Sequence, residues 1–354
     1  MSSNNTKEQA WENHLEYDEK TLALARLVLA EIEKGREVFA SIRRHPLPNG
    51  EGFLSKHMLL TAYRQDVERG EREADRRLLA KIRVKPTRTL SGVTVVTVLT
   101  KPHPCPGTCI FCPDYKQMPV SYLPDEPGAM RALHHNFDPY DQVVARIQAL
   151  YEIGHPTDKI ELLILGGSWS AYPESYQEWF LLRCFEALNN TKSENLAEAQ
   201  ALNETAKHRN VGLVVETRAD MVNLAELKRL RELGVTKVQI GVQSLDDEIL
   251  ARNQRGHTVA ETRQALALLR AAGFKIVAHW MPNLLGATLE SDSEDFARLW
   301  AWLAPDELKI YPTQLLEGTN LYKYWEHGEY TPYTTAELIN LIADLKPSIP
   351  QYCR

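Results

Sequence analysis

From Gly92 onward, short apolar runs alternate with longer amphipathic stretches. The runs are VTVVTVLT (93–100), IELLILG (160–166), VGLVVETR (211–218), KVQIGVQS (237–244), FKIVAHWM (274–281) and ELKIYPT (307–313). Their β-branched, nearly continuous character predicts strands buried on both faces. DPYDQVVARIQALYEIG, PESYQEWFLLRCFEALNN, NLAELKRLRELG, TVAETRQALALLRAAG, SEDFARLWAWLA and TTAELINLIADL place apolar residues at three- and four-residue spacing, the helical period. Gly154, Gly234 and Gly273 close three of these stretches before the next strand, as a C-terminal cap does. Strand followed by helix six times predicts an α/β fold of parallel βα units with right-handed crossovers. Six units do not close an eight-unit barrel. A partial (β/α)6 barrel, open on one side, fits better than a flat doubly wound sheet, although periodicity does not separate the two.

Before Gly92 the period is helical throughout. LALARLVLAEIE and SKHMLLTAYRQDVERGEREADRRLLAKI flank the breaker-rich HPLPNGEG. The expected organisation is an N-terminal helical region over 1–80 and a core over 81–354.

Composition narrows the class. The 354 residues are 44% hydrophobic and 25% charged, which excludes disordered and collagen-like chains. Lys+Arg 41 against Asp+Glu 47 gives a net charge of −6, which excludes a uniformly basic nucleic-acid coat. No apolar run reaches the roughly 18 residues of a membrane span. MSSNNTKEQAWENHLEYDEK lacks a secretory apolar core. A cytoplasmic protein that does not enter membranes is expected. The overall charge conceals one local feature: Lys81, Arg83, Lys85, Arg88 and Lys101 occur with no acidic residue among them.

Chemistry gathers at the strand ends, the reactive edge of parallel α/β folds. Strand two ends in Gly166-Gly167-Ser168, strand three in Glu216-Thr217-Arg218, and strand four in Gln243-Ser244. Strand five carries His279, and strand six ends in Tyr311-Pro312-Thr313. Strand one runs into a loop over 102–115 that holds Cys105, Cys109 and Cys112 in C-x3-C-x2-C spacing. Five cysteines in a reducing compartment make a disulfide framework a poor reading. Three close thiolates suit a soft metal centre. An iron–sulfur cubane normally takes four cysteines, so one iron would stay open to bind substrate. The alternative is zinc with His103 as fourth ligand, although the second, distant ligand pair of structural zinc sites is missing. Cys184 lies in an apolar helical pattern and reads as core.

The cysteine spacing after a first strand resembles that of the radical S-adenosylmethionine enzymes. KPTRTLSGVTVVTVLTKPHPCPGTCIFCP, YLPDEPGAMRA, GHPTDKIELLILGGS, ETRAD, IGVQS, NQRGHT, GFKIVAHWMPNL and LKIYPTQLLEGTNLY, in this order, resemble the Elongator catalytic subunit over roughly residues 56–353. That resemblance implies a radical S-adenosylmethionine barrel with a 4Fe–4S cluster on Cys105, Cys109 and Cys112. The open iron would take the amino and carboxylate groups of S-adenosylmethionine, with an external electron donor for the cluster. It places Phe111 against the adenine, Gly166 and Gly167 by the methionine amino group, and Glu216 and Gln243 on the ribose or methionine. The implied reaction makes a deoxyadenosyl radical, which takes hydrogen from the methyl group of acetyl-CoA. The carbon radical adds to C5 of the wobble uridine of tRNA, and thioester hydrolysis leaves a carboxymethyl group at position 34. Lys275 and Tyr311, taken as the ends of strands five and six, match positions needed near the thioester, and Lys159 matches an acetyl-CoA contact. The plainer roles are a tight turn at Gly166-Gly167, a Glu216–Arg218 ion pair, a satisfied core His279, a surface Lys159 and a core Tyr311. The family continues into an acetyltransferase domain that has no counterpart before the chain stops at QYCR. A core that binds tRNA without full turnover is therefore expected, with Cys353 an idle thiol or the first ligand of a zinc site.

A tRNA enzyme needs phosphate contacts. Arg64, Arg69, Arg72, Arg76 and Arg77 are interleaved with Asp66, Glu68, Glu71, Glu73 and Asp75, the pattern of a solvated face with i,i+4 pairs. Lys81, Arg83, Lys85 and Arg88 are the stronger RNA candidates, followed by Arg252 and Arg255. Two other functions compete. One is a different radical enzyme, for instance a porphyrinogen-oxidising one. The other is a zinc-stabilised RNA-binding module.

Overall fold

The computed structural model describes residues 17–354 apart from 48, 49 and 51. The segment read as lacking a secretory core therefore falls largely outside the described residues, as do three positions of the HPLPNGEG loop. Packing divides the chain into two units. One takes the residues up to Thr94 with Ala145–Lys159; the other takes Val95–Val144 with Ile160–Arg354.

The first unit is built on α1 (Glu19–Glu33), α2 (Val38–Arg44), α3 (Lys56–Glu68) and α4 (Arg76–Ile82). Asp18, Ser55 and Asp75 cap three of these by accepting from the backbone N–H groups of Thr21, Met58 and Arg77. Leu22, Leu29, Ile32, Leu59, Leu60 and Ile82 form its core. Glu68, Arg69, Glu71, Glu73, Arg76 and Arg77 are exposed, as a solvated face requires, but Asp66 and Arg72 are not part of it. Buried Asp66 on α3 accepts from Arg26 Nε of α1 at 2.8 Å, and Arg72 reaches both Asp66 and Glu33 of α1. Asp66 and Arg72 thus tie α3 and the segment after it to α1.

The six predicted strands are all present: β1 (Thr94–Leu99), β2 (Lys159–Leu165), β3 (Arg209–Thr217), β4 (Lys237–Gln243), β5 (Lys275–Trp280) and β6 (Glu307–Ile310). They lie in chain order in one sheet, a parallel half-barrel. Val214 stands opposite Lys237, Lys237 opposite Lys275, and Val277 opposite Glu307. The helices that follow β1 are α5 (Pro127–His134) and α6 (Pro139–Glu152). Those after β2 are α7 (Glu174–Asn189) and α8 (Leu196–Asn203), and α9 (Leu224–Glu232) follows β3. The later ones are α10 (Asp247–Arg252), α11 (Val259–Ala271), α12 (Leu289–Arg298), α13 (Asn320–Glu326) and α14 (Thr335–Leu345).

The strands are not apolar on both faces. On β4, Val238, Ile240 and Val242 alternate with Lys237, Gln239, Gly241 and Gln243. Lys237 Nζ reaches Glu161 of β2 at 3.0 Å and Glu307 of β6 at 2.8 Å, a contact that only the inner face of a curved sheet allows. One step along, His279 Nε2 donates to Gln239 Oε1 at 2.8 Å, and Lys309 Nζ donates to the same oxygen. The barrel interior is a polar column closed by mutual hydrogen bonding.

Candidate functional site

The loop after β1 is fixed from several sides. Thr100 Oγ1 meets Tyr172 Oη at 2.7 Å, and that hydroxyl donates to Lys101 O at 2.8 Å. Tyr176 Oη accepts from Lys101 N at 3.1 Å. His103 donates from Nε2 to Ala171 O at 3.0 Å and stacks on the Tyr172 ring at 4.6 Å. Further along, Ile110 N donates to Asn253 O, and Leu321 N to Ile110 O. That bond occupies Nε2 and leaves the other ring nitrogen of His103 unassigned, so it does not by itself decide between zinc and a cluster. Among the described residues no three His, Cys, Asp or Glu side chains converge on one ion. A cubane gives each thiolate its own iron, so this bears against mononuclear zinc and not against a cluster.

Cys105, Cys109 and Cys112 line a cavity of about 640 Å³ together with Gly167, Ser168, Glu216, Arg218, Gly241, Gln243 and Arg255. The cysteine loop and the ends of β2, β3 and β4 therefore meet as the sequence predicts. Cys112 Sγ lies 3.1 Å from Ser121 Oγ. The hydrogen bond from Cys112, and then the nearby Arg255 guanidinium, hold the Cys109 thiol well below its ordinary range; Cys112 is pushed up in return. Cys109 is the first of the pair to become a thiolate, the form that binds metal.

Gly166 has φ +130°, and a Cβ there would fall 1.9 Å from Thr100 Oγ1, so only glycine lets β2 turn against the exit of β1. Gln243 holds φ +68°, where the β4–β5 register shifts, and its buried Oε1 has no partner in the protein. This is a strained backbone conformation for a non-glycine residue, held at the cavity wall. Glu216 is raised by burial, against the pull of Lys309 and Arg255, and its Oε1 is 3.9 Å from His279 Nδ1. Burial first, then Lys309 and Arg255, push His279 down to about 3, so it is neutral near pH 7. Glu216 does not pair with Arg218, whose Nε donates to Asp220 at 2.9 Å.

Other expected site residues stand elsewhere. Phe111 packs with Ile110, Ile249, Leu284, Leu321 and Tyr330 in an apolar cluster and is not among the cavity-lining residues. Tyr311 follows β6, half-exposed, with its ring edge-on to His279 at 5.2 Å; burial pushes its phenol up to about 12. Lys275 is not at the reactive end. It is the first residue of β5, exposed, five residues before Trp280, or about 17 Å at the usual strand rise. Lys159 likewise opens β2 and is exposed. Arg255 is not an RNA contact: it is buried, with Nη1 3.5 Å from Cys109 Sγ. Arg252 is exposed and pairs with Glu248. Arg83 is spent on Gly154 O at 2.9 Å and Thr89 Oγ1 at 3.3 Å, whereas Lys81, Lys85 and Arg88 are exposed. The motifs assign no role to Lys309 or Tyr172, and to Arg218 only an ion pair with Glu216. The i, i+2 polar alternation of Glu307, Lys309 and Tyr311 is the signal that marks Lys309.

Comparison with known proteins agrees with this geometry. Residues 103–298 match the Radical SAM superfamily and residues 305–354 a Radical SAM C-terminal domain. The chain is 45% identical over 291 residues to the tRNA uridine(34) acetyltransferase of Methanocaldococcus infernus, covering 80% of this chain and 54% of that protein. It is 37% identical over 290 residues to Elongator complex protein 3 of Homo sapiens, covering 78% and 53%. The structure of the archaeal Elp3 of Methanocaldococcus infernus with an N-terminus deletion superposes with a TM-score of 0.64 at 41% identity, covering 74% of this chain and 55% of that one. The chain spans about half the length of these relatives.

Proposed function

This chain belongs to the radical SAM superfamily, whose members use a 4Fe–4S cluster and S-adenosylmethionine, and we propose that it is the radical half of a tRNA wobble-uridine carboxymethylating enzyme. The observation that carries the reading is the three-cysteine loop opening into one cavity with Gly167, Glu216 and Gln243. The donor set fits a cluster: three thiols, one already inclined to ionise, and no fourth cysteine in the cavity wall. When bound, the cluster and S-adenosylmethionine supply one-electron cleavage and hydrogen abstraction.

Cys105, Cys109 and Cys112 hold the irons. Gly166 and Gly167 keep the end of β2 clear for the methionine amino group. Glu216 and the unsatisfied Gln243 Oε1 accept hydrogen bonds from the cofactor. Neutral His279 donates to Gln239 and adds no charge of its own beside Glu216. Acetyl-CoA and tRNA are the proposed substrates, following the names of the relatives. Tyr311 serves near the reacting group. Lys159 and Lys275, each exposed at the start of its strand, suit surface attraction of an anionic substrate rather than the reacting thioester. Lys81, Lys85, Arg88 and Arg252 are the tRNA phosphate contacts. An external reductant supplies the electron. No helix among the described residues is long and apolar enough to cross a membrane.

The test is anaerobic reconstitution followed by reduction with dithionite and S-adenosylmethionine. About four irons per chain and release of 5′-deoxyadenosine, lost in the Cys109→Ala variant, are expected. A colourless protein that carries zinc and releases none refutes the reading.

A further inference from the structure

Two arginines behind the cysteine loop are more deeply buried than their charge allows without a partner. Arg218 is 3% exposed and Arg255 6%. Arg255 Nη2 donates to Gly241 O at 2.7 Å, and Nη1 lies 3.5 Å from Cys109 Sγ. Arg218 Nη2 donates to Arg255 O at 2.8 Å, and its Nε to Asp220. Arg218 Nη1 and Arg255 Nε are buried with no partner in the protein.

Space has been made for these groups. Gly107, between Cys105 and Cys109, has no positive φ, so its backbone does not demand glycine. A Cβ there would fall 2.1 Å from Arg218 Nη1. Gly241, equally ordinary in backbone, would place a Cβ 2.6 Å from Arg255 Nη2. Each glycine is the room that one guanidinium occupies. Behind them Asp220 faces Arg218, and the buried His257 lies 3.8 Å from Asp220 with neither ring nitrogen hydrogen-bonded. Asp220 faces Arg218, and Glu216 feels Arg255 and Lys309, so two carboxylates stand against three cations; the wall stays positive, and a buried positive wall favours an anion.

We propose that Arg218 and Arg255 form a cationic wall that faces the anionic centre held by Cys105, Cys109 and Cys112 and makes it easier to reduce. This rests on the cluster reading above. An added electron increases the negative charge of the centre, so a fixed cation a few ångströms away favours the reduced form over the oxidised one. Both residues are positioning residues: they act on the centre's charge and hydrogen bonding, not on the substrate.

The experiment is an EPR-monitored redox titration of the reconstituted full chain without S-adenosylmethionine. Arg255→Gln is expected to retain iron and to shift the reduced-to-oxidised ratio at least tenfold toward oxidised, a midpoint about 59 mV lower for one electron. Arg255→Lys, which keeps the charge, is expected to recover most of that shift. Asp220→Asn, which removes the counter-ion of Arg218, is expected to move the midpoint upward. An iron-loaded Arg255→Gln with the wild-type midpoint overturns the proposal, even if it binds S-adenosylmethionine less tightly. If Arg255→Gln does not fold, Asp220→Asn decides: an unchanged or lowered midpoint overturns it. Loss of iron from both variants also overturns it, leaving a purely structural role. A wild-type chain with no cluster signal instead refutes the function proposed above.

Discussion

Lys237 bridges Glu161 and Glu307 from three strands at the opening end of the half-barrel, and replacing it by methionine isolates one electrostatic quantity. Both carboxylate oxygens touch the same nitrogen, at 3.0 and 2.8 Å, so they stand at most about 5.8 Å apart. At an effective dielectric constant of about 20, two like charges at that separation repel by about 3 kcal/mol. Lys237→Met keeps the aliphatic stem and exposes that repulsion. One carboxyl then answers by holding its proton to higher pH, at about 1.4 kcal/mol per unit. A carboxyl whose folded-state pKa is raised destabilises the fold above that pKa, and the penalty fades as pH falls toward its unfolded value of about 4.3. Urea unfolding should therefore show a deficit of about 2–3 kcal/mol near pH 7.5 that shrinks toward pH 5. Adding Glu307→Gln should recover most of the loss at the higher pH. A deficit below about 1 kcal/mol near pH 7.5, or one that does not change with pH, refutes the assignment of these residues to a shared low-dielectric interior.

Three further outcomes follow from other parts of the molecule. Neutralising Lys81, Lys85 and Arg88 should weaken tRNA binding and lower the slope of log affinity against log salt by about 0.7–0.9 for each phosphate left without its cation; in filter binding, an unchanged slope discards this surface. Burial pushes Asp292 up to about 6, although its Oδ2 accepts from Asn283 N and Tyr333 Oη. Its ionisation thus costs the fold up to about 3 kcal/mol as pH rises through that value, and Asp292→Asn should flatten the dependence of Tm on pH between about 4 and 7. Cys184 is wholly buried in α7, where burial keeps its thiol protonated, so Cys184→Ala should leave iron per chain unchanged and cost about 1 kcal/mol of stability.

The half-barrel was legible because period and order are local properties: β-branched runs and helical spacing recur six times, and three of the helical stretches end in glycine. The cysteine loop and the ends of β2 to β4 were legible for a related reason, since parallel strands bring their C-terminal residues to one edge whatever the helices do. Direction along a strand was also written in the sequence. Lys275 stands second in FKIVAHWM, at the opening of its run, and a likeness to a motif gave no warrant for moving it to the other end. What the sequence withheld is partnership. KIRVK shows three cations alike, yet Arg83 is consumed by Gly154 O while Lys81 and Lys85 face water. RNQRGH likewise shows two, of which Arg252 is exposed and Arg255 lies against Cys109. Charge alone does not say whether an arginine meets a phosphate or a thiolate. The nearer clue was glycine: Gly107 and Gly241 sit where no turn requires them, and each is empty because a guanidinium fills the space. A glycine without a backbone reason is thus evidence of a close neighbour, and here both neighbours belong to the wall behind the cysteines.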